Sequence, residues 1–169
     1  MAAWLMALIL HLQPVDFLKI SLPVGAWILL RLITSFCGVF GFSIMFNSPV
    51  RLAATAAGIG AIANTLRLEM VDMTAIPPAG AAFVGALTAG ILASLIKSKV
   101  GYPRISLTVP SIVIMVPGMY LYRGFYNLGI MSLGPAASWF ASAILIIAAL
   151  PLGLIFARIL TDETFRYCT

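Results

Sequence analysis

Charge is the scarcest property of this chain. Ten Lys and Arg and five Asp and Glu are all that its 169 residues carry, 9% charged against 62% hydrophobic, with a mean hydropathy of +1.10. Soluble domains are about one quarter charged, so this number of ions cannot cover a water-exposed surface, and a soluble globular protein is excluded. Histidine is represented by His11 alone, and the two cysteines, Cys37 and Cys168, stand far apart. That set cannot supply a zinc or iron site, a disulfide framework or a Cys/His or Ser/His/Asp nucleophile, and no cofactor is implied. Asp16, Glu69, Asp72, Asp162 and Glu163 all fall outside the centres of the apolar runs. A proton or sodium relay housed wholly in this chain is therefore not expected. The net charge of +5 comes from cations scattered singly or in one small cluster, not along one helix face, which argues against nucleic acid as a partner. The opening "MAAWLMALIL" has no basic leading region and does not read as a cleaved signal peptide.

What the chain does have is apolar length. At roughly 20 residues per crossing there is room for about five transmembrane helices and no separate soluble domain. The expected architecture is an all-α integral membrane protein in three parts: an N-terminal segment (1–23), a polytopic membrane domain (24–160) and a short polar tail (161–169). The run "AAWLMALILHL" is too short to cross and is followed at once by Gln13, Pro14 and Asp16, which suits an interfacial or re-entrant helix.

The first span, residues 24–46, is interrupted only by Arg31, which sits roughly 10 Å into the helix. It reads either as a snorkelling cation or as a contact to substrate or another subunit. Asn47, Ser48 and Pro49 form a tight reversal. The second span, residues 50–66, is small rather than bulky. Lipid selects large side chains and helix neighbours select Ala and Gly, so this segment belongs among other helices and should be weak in hydropathy. Asn64 and Thr65 within it suit interhelical hydrogen bonds, with Asn64 also a pathway candidate. Arg67, Glu69 and Asp72 mark an aqueous loop closed by Pro77 and Pro78. A third span over 79–96 carries Gly80, Gly85 and Gly90 and ends on "KSKVGYPR"; the last span covers 136–157, with Pro151 and Gly153 inside it.

The fourth span is the anomaly. "SLTVPSIVIMVPGMYLYRGFYNLG", residues 106–129, puts Pro110, Pro117 and Gly118 where an uninterrupted helix would be cheapest. A proline inside a helix removes a hydrogen bond and clashes with the preceding turn, so the reading is a helix broken by Pro110 and Pro117. Irregular backbone at membrane depth is tolerated where protein buries it or where it lines an aqueous cavity, and discontinuous helices recur as substrate sites in secondary transporters. The candidate substrate pathway is therefore Thr108, Pro110, Ser111, Pro117, Gly118, Tyr120, Tyr122 and Arg123, joined by Arg31, Asn47 and Asn64. Arg123 could grip a carboxylate bidentately or anchor at the interface with the neighbouring tyrosines.

"FNSPVR", the small-residue second span and above all "VPSIVIMVPGMYLYR" resemble the membrane domain of the threonine/serine exporter family, particularly its small-subunit form, in which exporter function is divided between two polypeptides. The resemblance covers roughly residues 32–157 and implies export of small polar metabolites, either threonine and serine or dicarboxylates such as succinate. It also implies a larger membrane partner bearing a soluble domain and a second set of about five helices. Because five is odd, that second half would lie upside down relative to this one, as in inverted-repeat transporters.

Counting cations on the two sides of a five-span arrangement places Arg51, Lys97, Lys99, Arg104, Arg158 and Arg166 on one side and Lys19, Arg67 and Arg123 on the other. The more basic side faces the cytoplasm, which gives a multi-pass protein of the cell inner membrane with a cytoplasmic C-terminus. A homo-oligomeric solute channel and a non-transporting structural subunit are the competing functional readings.

Overall fold

The computed structural model describes residues 5–6, 9–10, 23–74 and 76–162. The expected interfacial segment at 2–12 and the tail beyond Asp162 lie largely outside the described residues. The rest is helical throughout: α1 (Val24–Met45), α2 (Val50–Met73), α3 (Pro78–Val100), α4 (Arg104–Val113), α5 (Gly118–Gly129) and α6 (Leu133–Thr161). Proline precedes five of these six helices, at 23, 49, 77, 103 and 117, and the first four fix an extended entry that leads into the first turn. Between α1 and α2 the reversal depends on Asn47, which takes a left-handed φ of 57° that asparagine tolerates better than most residues. Gly101 ends α3 at φ 74°, and its N–H donates to Lys97 O at 3.1 Å.

Among the described residues three helices, α1, α3 and α6, are long and apolar enough to cross a membrane, and the bent pair α4–α5 makes a fourth if it is one span. α2 does not meet that standard, in keeping with the weak hydropathy expected of it. At 24 residues it would nonetheless be about 36 Å long, and it buries ten residues between Leu52 and Thr65, whereas α1 buries only Ser35, Val39 and Ser43. α2 is thus a central element, with α1 antiparallel to it and α4 crossing its first half.

Two expectations need correction. Arg67, Glu69 and Asp72 are not in a loop: α2 continues through Met73, and the connection shrinks to the few residues before Pro78. Nor do two prolines break the fourth segment. Pro110 lies inside α4, and the interruption falls at 114–117, where α4 and α5 meet at 42°. Met115 and Val116 donate back to Ile112 O and Val113 O, which tightens the end of α4 into a 3₁₀-like turn. Pro117, at φ −79° and ψ 53°, then centres an inverse γ-turn in which Gly118 N–H donates to Val116 O at 2.8 Å. A proline ring in a helix bends it; a γ-turn ends it.

The packing inverts that of a soluble protein. Most of the fully buried core is alanine, including Ala82, Ala86, Ala89, Ala93, Ala143 and Ala157, while Leu29, Ile33, Ile144, Leu145, Leu152 and Phe156 face outward. α3 and α6 run parallel, with Ala86 against Gly153, Gly90 against Ala157 and Ser94 against Thr161, each pair one turn beyond the last. A Cβ on Gly153 would lie 2.5 Å from Phe83 O and 2.8 Å from Ala86 Cβ. Gly153→Ala should therefore destabilise the fold by about 1–3 kcal/mol through overpacking. Gly41→Ala, where nothing lies within 4 Å, should be neutral or slightly stabilising; thermal unfolding of both variants in mild detergent is the check.

Candidate functional site

The α1–α2 hairpin places a polar ladder across its interior. Asn64 Nδ2 donates to Ser35 Oγ at 2.9 Å, and Asn64 Oδ1 accepts from Arg67 Nε at 3.1 Å. One step nearer the end of the bundle, Arg31 donates through Nη1 to Glu69 Oε1 at 2.8 Å and through Nη2 to Asp72 Oδ2, and its guanidinium lies 5.1 Å from the Trp27 ring centroid. The pair is largely enclosed on the Arg31 and Glu69 side, with side chains 11% and 17% exposed. Arg31 is thus neither a snorkelling cation nor an open contact. Its two partners were hidden from sequence reading because Glu69 and Asp72 had been placed in a loop, although their spacing of three continues the helical face of α2.

This arrangement consumes both nearby carboxylates. Arg67, on the same helix, is left partly buried with Asn64 as its hydrogen-bond partner and no carboxylate at ion-pair distance among the described residues. Its neighbours come from every side. Arg67 Cβ and Met115 Sδ each lie 3.2 Å from the point where Gly85 would carry a Cβ, which brings α2, α3 and the α4–α5 break together. Tyr120 of α5 packs against the buried cluster that contains Met115. Arg67 was expected as an ordinary loop cation and is the functional candidate the sequence reading missed.

The remaining candidates divide into groups. Tyr120 packs edge-on to Trp139 at 5.6 Å between ring centroids, and the Arg123 guanidinium lies 4.9 Å over the same ring, so these two residues share one aromatic platform on α6. Tyr122 is half-buried nearby on α5. Pro117 is buried at the break and Gly118 is exposed beside it. Ser111 is fully buried, its hydroxyl set between Leu107 O at 2.6 Å and Ala56 O at 2.9 Å, a link from α4 to α2. Thr108 and Pro110 sit further down α4. Thr108 borders a cavity of about 450 Å³ with Lys97 and Arg104, and Pro110 a second of about 350 Å³ with Ser48 and Ser106. Asn47 is exposed in the α1–α2 turn, at the opposite end of the hairpin from Arg31, where its conformation accounts for its presence. The structure thus brings Asn64, Tyr120 and Arg67 to the level of the break and leaves Asn47, Thr108 and Pro110 apart from it.

A family model described as "Threonine/Serine exporter, ThrE" matches residues 31–160, which takes in every helix except the first turns of α1 and the last residue of α6. The chain belongs to this exporter family. It is a multi-pass membrane transport protein rather than an enzyme. No curated protein matches the chain, and no solved structure does. Within this exporter fold Arg31 acts as a clamp between α1 and α2. Arg31→Gln should lower stability by about 1–3 kcal/mol, because Glu69 is then left poorly solvated and without its cation. Adding Glu69→Gln should restore part of that loss, which thermal melting of the single and double variants in detergent would reveal as a higher transition for the double.

Proposed function

We propose that the chain is the membrane half of a two-subunit exporter of small carboxylate-bearing metabolites, threonine and serine or dicarboxylates such as succinate. It works with a larger partner of the same family that carries a soluble domain, and the substrate passes at the level of the α4–α5 break. The observation that carries this reading is Arg67: a cation held by Asn64, beside Met115 of the break, whose potential counterions are already taken by Arg31. Every substrate of the proposed class offers the planar oxygen pair that a guanidinium recognises best. The break adds to this. The N–H groups of Met119 and Tyr120 precede the first bond of α5, which Leu121 makes to Pro117 O, and helix N-termini at interrupted segments favour anionic groups. Arg123, on its aromatic platform, is the second cation on the path.

On this reading α2 crosses as well, giving five spans in the inner membrane, with the Lys97 end and the C-terminus in the cytoplasm. The α4 half, ten residues and about 15 Å long, brings the break near the middle of a hydrocarbon layer roughly 30 Å thick.

The deciding assay is efflux of preloaded, labelled threonine or succinate from cells holding both subunits, scaled to the amount of assembled complex. Arg67→Gln should reduce apparent affinity roughly ten- to hundredfold, the loss of a charged hydrogen-bond pair, while Arg67→Lys retains part of it. Export at the wild-type rate in Arg67→Gln would remove Arg67 from the path. Single cysteines at Ser48 and Thr74 should label from opposite sides of the membrane; labelling from one side would overturn the five-span arrangement.

A further inference from the structure

At the end of the bundle away from Arg31, α3, α4 and α6 enclose a cavity of about 450 Å³ that the transport reading does not use. Lys97 from the last turn of α3, Arg104 from the first turn of α4 and Arg158 from the last turn of α6 meet there, with Asp162 the acidic residue on its wall. Arg158 Nε lies 3.8 Å from Asp162 Oδ2. Arg104 carries the one buried donor of the three without an acceptor among the described residues. Its Nη1 donates to the Thr161 hydroxyl at 3.3 Å, while its Nη2, packed over Gly90, is buried with no acceptor among the described residues.

Much of the remaining lining is apolar. Ile105, Val109 and Ile155 are exposed large side chains on the same cavity. Val109 lies one turn further along α4 than Ile105, and Ile155 about one turn before Arg158 on α6. The cations therefore sit at the helix ends, Ile105 adjoins Arg104, and Val109 and Ile155 lie about 5 Å deeper, the distance of one turn. A free solute anion would use the first feature and gain nothing from the second. A molecule with a phosphate at the interface and a hydrocarbon chain below it uses both.

We propose that this crevice is a binding site for an anionic phospholipid, with the phosphodiester on Arg104 and Lys97 and an acyl chain along Val109 and Ile155. The phosphodiester meets the exposed part of the Arg104 guanidinium, and the acyl chain seals the junction of α3, α4 and α6 with a lipid rather than with protein. It does not depend on the identity of the exported substrate or on Arg67.

The test uses the full-length chain in detergent, titrated with phosphatidylglycerol, with phosphatidylcholine of the same acyl chains and with inorganic phosphate, and read by thermal shift and by retained lipid in native mass spectrometry. Phosphatidylglycerol should stabilise and be retained, whereas phosphatidylcholine should do so several-fold less. Lys97 is exposed and its removal endangers no packing. Lys97→Gln and Arg104→Gln should each weaken phosphatidylglycerol binding roughly fivefold, the contribution of one interfacial cation. Asp162→Asn should strengthen it, an outcome that a purely structural role for the cluster does not give. Equal effects of the two lipids, unchanged binding in both cation variants, or stabilisation by inorganic phosphate equal to that by phosphatidylglycerol would each overturn the proposal, the last by making the crevice a site for free anions.

Discussion

Helices in lipid gain nothing from the hydrophobic effect against one another, because acyl chains are as apolar as leucine; what holds them is how closely their backbones can approach. The α3–α6 pair shows the constraint most directly. Ala86, Gly90 and Ser94 face Gly153, Ala157 and Thr161 at one-turn intervals, and no side chain larger than theirs would let Gly153 meet the carbonyl of Phe83. The same rule operates at the centre, where a Cβ on Gly60 would lie 2.9 Å from Ser111 O and 2.7 Å from Val39 Cγ2. Three helices meet at that point. The Ser111 hydroxyl then reaches Ala56 O, a hydrogen bond available because the helices are already in contact.

Close packing of α2 and α4 positions the interruption that follows. With α4 anchored at Ser111, the chain turns at 114–117, drives Met115 into the core beside Gly85 and sends α5 away at an angle to meet Trp139 with Tyr120 and Arg123. The polar residues of the break are therefore supported by an alanine core on one side and an aromatic platform on the other. Charge is segregated along the bundle in the same way. Glu69 and Asp72 are gathered by Arg31 at one end, and Lys97, Arg104 and Arg158 crowd the other around Asp162.

The sequence was most legible where one physical signal decided the matter. α1, α3 and α6 are long, strongly apolar runs, and the Ala and Gly content of α2 announced a helix surrounded by helices. Proline was ambiguous. Pro110 and Pro117 look alike in the chain, yet one is absorbed within a helix and the other centres a γ-turn, a difference set by the backbone around them and by the glycine that follows Pro117. The charged cluster at 67–72 was misread because charge suggests a loop. The ion pair that makes those residues helical lies 38 positions away in sequence, on a partner visible only once α1 and α2 are folded against each other. Arg67 was illegible for the same reason, since its importance follows from what Arg31 removes.

The Arg31 clamp also bears on how such a chain is made. In the five-span arrangement α2 carries Arg51, Arg67, Glu69 and Asp72 on a small-residue helix that does not meet the hydropathy standard alone, and each charge taken singly into a bilayer costs a few kcal/mol. α1 emerges from the ribosome first and already holds Arg31 at the matching depth. The tight turn at Asn47 would let the two helices enter together as a hairpin, with Glu69 and Asp72 both paired to Arg31 before they meet hydrocarbon. A contact that looks like a strut in the finished protein would then serve first as a passport for the helix that could not enter by itself.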